Sequence, residues 1–167
     1  SLREDEFTDL VRFLSELGKE GDFKTGPQPY IRQWKVLSAH SLLADVMRYQ
    51  GASIFAKPIK GAKWDTYYSR VNGEIRPKEL PFVKYSGSRN RTCVVRFGLN
   101  PEAKGKVVLK INDTSEIQLF DGEKQIKLPK NSSASVEVAA GGDDNRFTLV
   151  VRSAARAKPI RIEAQPK

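Results

Sequence analysis

Apolar and polar residues alternate in a series of short segments through the C-terminal half of the chain: residues 92–97, 106–111, 116–120, 125–128, 135–138, 146–152 and 160–164. Seven such segments in about 75 residues, cut by Gly, Asn, Asp and Pro, predict an all-β architecture. A period of two sends successive side chains to opposite faces of a strand, so one face of each is expected in the core. The expected core positions are Cys93, Val95 and Phe97, then Val107, Leu109 and Ile111, then Phe147, Leu149 and Val151. Upstream, Ile31, Trp34, Val36 and Leu37 predict one more apolar strand.

A helical period governs the N-terminus. Phe7, Leu10, Val11, Leu14 and Leu17 fall on one face of an amphipathic helix over residues 4–17, with Ser1 and Glu4 at capping-box spacing and Gly18 as a C-cap. Residues 18–29 are rich in Gly, Pro and charge and read as a linker. Leu42, Leu43, Val46, Met47 and Tyr49 predict a short second helix over 41–49. Residues 52–85 read as loop-rich, with turn signals at Lys57-Pro58, Asn72-Gly73, Arg76-Pro77 and Leu80-Pro81. The chain therefore divides into a helix and linker, 1–29, and a β-sandwich domain, 30–167. Its helix-like start at Ser1 reads as the expected start of a piece cut from a longer polypeptide.

Composition narrows the function classes. A chain of 167 residues with 39% apolar content can bury a core without staples. The formal net charge of +9 predicts attraction to polyanions such as nucleic acid, acidic polysaccharide or an anionic membrane. From Lys57 through Arg96, ten Lys or Arg stand against three Asp or Glu, so much of that charge lies in the middle region. Against this, the 29 basic residues are interspersed with 20 acidic ones, and some, such as Arg96 and Lys110, alternate outward along strands where solvation accounts for them. The lone Cys93 excludes an internal disulfide and is expected as a buried small hydrophobe. No apolar run of 18 residues and no signal peptide occurs in the chain.

Catalytic motifs are missing. His40 is the single histidine, so neither a His-based zinc set nor a Ser-His-Asp relay can be assembled. None of the twelve glycines forms a phosphate-binding fingerprint, and no Cys-x-x-Cys-His is present to attach a haem. A glycosidase-type carboxylate pair remains open, because such pairs are matched in space rather than along the chain. Two acidic loops, 112–116 and 141–145, have the Asx and Gly content of tight turns; a structural Ca²⁺ would need them to converge, and neither has calcium-cassette spacing. The best binding candidates are Trp64, Tyr67, Tyr68 and Arg70, either as a stacking platform for sugar rings or bases or as a plug at the end of the sandwich core.

Four segments together resemble the galactose-binding-like jelly-roll modules: a Trp-bearing first strand at 31–37, a strand at 106–111, a hairpin at 116–126 built on Asp121-Gly122-Glu123-Lys124, and a closing apolar strand at 145–151. Residues 6–19 look like the closing helix of a c-type cytochrome domain. With the Trp34 strand and residues 68–73, they resemble the C-terminal region of large secreted planctomycete proteins, haem-binding or dehydrogenase-like, that end in a β-domain. This resemblance implies export to the periplasm or beyond, with any haem held by an upstream domain and none by this chain. The expected fold is mainly β, an antiparallel jelly-roll sandwich with an N-terminal α-helix. The expected function is a non-catalytic accessory module that binds carbohydrate or docks on an adjacent domain of its parent. The rivals are a nucleic-acid or other polyanion binder and a glycoside hydrolase.

Overall fold

The computed structural model describes residues 7, 8, 11, 29–38, 51–59, 61–84, 91–99, 104–142, 146–152, 156 and 158–167. In chain order the strands are β1 (Gln33–Leu37), β2 (Trp64–Tyr68), β3 (Glu74–Ile75), β4 (Val83–Lys84), β5 (Arg91–Phe97), β6 (Lys106–Ile111), β7 (Ile117–Asp121), β8 (Lys124–Ile126), β9 (Ala134–Ala139), β10 (Phe147–Arg152) and β11 (Ile160–Pro166). Short 3-10 helices span Ala52–Ala56 and Pro77–Glu79. Every strand pairing is antiparallel. One sheet runs β2-β1-β5-β10-β7-β8, with β4 also paired to β5, and the other runs β3-β11-β6-β9. The protein is mainly β, an antiparallel sandwich, as its alternating pattern predicts.

The alternation works as expected on the inner faces. Trp34, Val36, Cys93, Val95, Phe97, Leu119, Phe147, Leu149 and Val151 from the large sheet share one buried core with Val107, Leu109, Ile111, Val138, Ile160 and Ile162 from the small one. Cys93 is a small hydrophobe within it, and burial pushes its thiol pKa up to about 12, so it stays protonated. Between β7 and β8, Gly122 takes φ +54, the left-handed value that a two-residue hairpin asks of its first loop position.

Three expectations are corrected. Central strands bury both faces rather than one: Leu37, Val94, Phe120 and Val150 point away from the sandwich core but form a second buried cluster with Phe55 and Val83. Residues 52–59 lie over that outer face, with Ala52, Ile54, Ala56 and Ile59 packed on it, and Ala62 packs there too. Arg96, expected in solvent, is drawn under this cover, where its Nη2 donates to the carbonyls of Phe55 (2.8 Å) and Lys57 (2.9 Å). Residues 52–85, read as loop-rich, contain β2, β3, β4 and both 3-10 helices. Strands two residues long carry no periodic signal, and β2 is polar at Asp65 and Thr66 because it ends its sheet.

At the N-terminal side, Phe7, Thr8 and Val11 are helical, and Phe7 and Val11 are exposed. The remaining positions of the helix predicted over 4–17, the linker 18–28, the helix predicted over 41–49 and His40 lie outside the described residues. Pro29 is already tied to the sandwich: its carbonyl accepts from Ala164 N at 2.6 Å, and Ile31 N donates to Ile162 O at 2.9 Å. The chain then crosses to the large sheet at Arg32, whose Nη1 donates to the carbonyls of Arg70 (3.0 Å) and Val71 (2.9 Å). Gly73 closes that corner at φ +78, where a Cβ would stand 2.5 Å from the Tyr30 ring. Gly73→Ala combines a left-handed backbone with a ring clash and is expected to destabilise by more than about 1 kcal/mol, read as a lower urea midpoint at constant m-value. No helix among the described residues is long and apolar enough to cross a membrane.

Candidate functional site

The four residues singled out from sequence do not share a surface. On β2 the two-residue period separates Trp64 and Tyr68 from Tyr67. Trp64 packs on the outer cluster with the Arg96 guanidinium 4.3 Å above its ring. Tyr67 is registered opposite the buried Trp34 and packs against the main core. Tyr68 is 73% exposed, and Arg70 is held by Glu79 at 3.2 Å, with Arg76 on the same carboxylate at 3.3 Å. The aromatics therefore divide: Trp64 and Tyr67 pack into the two apolar clusters, while Tyr68 and Arg70 remain at the surface beside the exposed Val71.

The loop at 112–116 is ordered by a charge latch. Arg156, with a fully buried side chain, places Nη1 3.3 Å from Asp113 Oδ1. It also donates to the carbonyls of Ser115, Asp113 (3.0 Å), Lys158 (2.9 Å) and Pro159 (3.2 Å). Lys158 Nζ sits 2.8 Å from Asp113 Oδ2, and Ser115 N donates to Asp113 Oδ1 at 2.7 Å. Those bonds from Lys158 and Ser115 hold the Asp113 carboxyl well below the usual carboxylate range. Both Asp113 oxygens are thus engaged by cations of the chain itself. The companion loop's Asp143, Asp144 and Asn145 lie outside the described residues, and no group of three His, Cys, Asp or Glu that could hold a metal occurs among those described.

In front of this latch opens a groove of about 920 Å³, within the size range of small-molecule sites. It lies along the outer faces of β10, β7 and β8, where Val150, Gln118 and Gln125 contribute to it, together with Thr92, Glu116, Arg152 and the stretch Leu128 to Asn131. Thr114 joins two of its borders: its N donates to Ser132 O at 2.7 Å and its hydroxyl to Pro129 O at 2.5 Å. Glu116 and Asn131 both line the groove and both hold left-handed backbone, at φ 58 and φ 53. They are the only non-glycine residues with positive φ among those described. Glu116 is fixed there through its carbonyl, which accepts from Arg152 N at 3.0 Å, and through its carboxylate, 3.7 Å from Arg152 Nη1.

Chemically the groove offers planar amides, hydroxyls, an aliphatic floor and a loose ion pair, with Glu116 its only carboxylate among the described lining residues. Sequence reasoning noticed the 112–116 loop but missed Gln118, Gln125, Asn131 and Arg152. For Gln118, Gln125 and Arg152 the one local signal is a polar strand position next to a core residue, which any solvated strand face also shows, and Asn131 lies in a bend outside the strands. In comparisons with known proteins, no family model, no curated protein and no solved structure matches this chain.

Proposed function

We propose that this protein is a non-catalytic binding module whose groove over β10, β7 and β8 takes a carbohydrate chain. The observation that carries the reading is the coincidence of that groove with both left-handed non-glycine residues, since backbone strain persists where surrounding structure maintains it and clusters at ligand sites. Gln118, Gln125 and Asn131 supply donors and acceptors suited to sugar hydroxyls, and Ala52 and Val150 of the outer cluster form its apolar side. Hydrolysis of a glycoside requires two carboxylates, and the described lining offers Glu116 alone. Binding of polyanions by charge spread over the whole basic surface is disfavoured because many cations outside the groove are already engaged: Arg70 and Arg76 by Glu79, Arg146 by Asp121, Arg156 by Asp113, and Lys106 and Lys167 by Glu137.

The test is calorimetric titration with a panel of oligosaccharides. The double variant Gln118→Ala/Gln125→Ala, with an unchanged melting curve, is expected to lose about tenfold or more in affinity, the loss of one or two hydrogen bonds. Glycan binding that ignores these substitutions would remove the groove from the reading. A second reading, docking on a neighbouring domain, rests on the exposed Tyr68 and Val71 at a corner that Arg32 holds rigid. Silence across the glycan panel would favour it.

A further inference from the structure

Resting on the reading of the groove as a glycan site, we propose that its ligand carries carboxylates: a chain containing uronic acids, gripped by Arg152 and Lys130. The Arg152 side chain is 65% exposed and meets Glu116 at 3.7 Å through a single nitrogen. Elsewhere in the fold, a committed arginine pair looks different: Arg146 closes on Asp121 with two bonds of 2.6 Å and is half-buried. The Arg152 fork is therefore open to a second, planar carboxylate in bidentate geometry. Lys130 lines the same groove, is exposed, and forms no ion pair with a described residue. Two cations against Glu116 leave the lining electropositive, in a chain of net charge +9.

The neighbours of these cations decide between anions. Gln118 lies on the adjoining strand β7 and Gln125 on β8 beyond it, so both can take hydroxyls along a chain whose carboxylate meets Arg152. No aromatic side chain is among the described lining residues, so bases have no ring to stack on, and nucleic acid would be held by charge alone. An acidic glycan uses both the cations and the amides.

The experiment titrates the whole chain with oligomers of galacturonate, mannuronate and hyaluronan, with methyl-esterified oligogalacturonate as the neutral counterpart and with single-stranded DNA of matched charge. The expected result is that at least one uronate series binds about tenfold more tightly than the neutral ester, with a shallow salt dependence of about one to two released ions. Arg152→Ala, with its melting curve unchanged, should abolish that preference, and Lys130→Ala should reduce it. Equal binding of the neutral ester, a preference untouched by Arg152→Ala, or DNA binding as tight as the uronates would each overturn the proposal while leaving a glycan groove intact. Loss of every glycan signal, neutral and acidic alike, would instead overturn the groove reading on which it rests.

Discussion

Arg156→Ala is expected to destabilise the protein by about 3–5 kcal/mol, the cost of breaking a buried ion pair by removing one partner. The side chain is fully buried, and its loss removes the donor to the carbonyls of Asp113, Ser115, Lys158 and Pro159 and leaves the Asp113 carboxylate to Lys158 and Ser115 N alone. At this chain length that corresponds to a fall in Tm of roughly 6–20 °C. The groove should suffer as well, because Arg156 holds the Asp113–Ser115 turn that leads into Glu116. The same latch sets the acid limit. Lys158 and Ser115 hold the Asp113 carboxyl below its ordinary value, so on acidification the unfolded chain takes up this proton before the folded one does. Its stabilisation is therefore complete above about pH 5 and is lost as pH falls below the ordinary aspartate pKa of about 3.9. Thermal melts of wild type and variant from pH 7 to pH 3 test both statements. A variant within about 1 kcal/mol of wild type at pH 7, beyond ordinary surface scatter, would show that the latch is not a stabilising element.

Phe97→Ala should cost a similar amount, about 3–5 kcal/mol, for a different reason. Phe97 ends β5 in the centre of the large sheet, 1% exposed, with its ring 5.1 Å from Trp34 in an edge-on pair and 5.2 Å from Phe147 in a near-parallel stack. Truncation opens a cavity between three strands, and the rigid ladder registers Lys35 with Arg96 and Phe147 with Phe97 on either side, leaving little scope for collapse. Phe97→Leu keeps most of the volume and should lose markedly less. Urea unfolding with an unchanged m-value would measure both, and equal losses for Ala and Leu would indicate that ring geometry, not cavity volume, sets the penalty.

These two effects differ in how far they could be read along the chain. Phe97 was legible: it stands at period two with Cys93 and Val95, and period-two patterning is a local property that the backbone imposes on any strand. The same holds for β6 and β10 and for the Asp121-Gly122 hairpin, so the β-sandwich class and its inner face belong to the sequence. The latch was not legible. Asp113 and Arg156 are 43 residues apart, and among 29 basic side chains nothing local marks the one that the fold encloses. Trp64, Tyr67 and Tyr68 look like one platform because they are close in sequence, but strand geometry turns Tyr67 to the opposite face, and the tertiary cover at 52–59 decides that Trp64 packs beneath Arg96. That cover also gives Val94 and Val150 a second buried face. The groove arises in the same way, from Ala52, Thr92, Glu116, Gln125, Asn131 and Arg152, which only sheet pairing and packing of the cover bring together. Local periodicity selects strands and their core faces; which charges are enclosed, which aromatics are spent on packing and where a cavity remains depend on contacts between distant segments, and these exist only once the sheets have closed on each other.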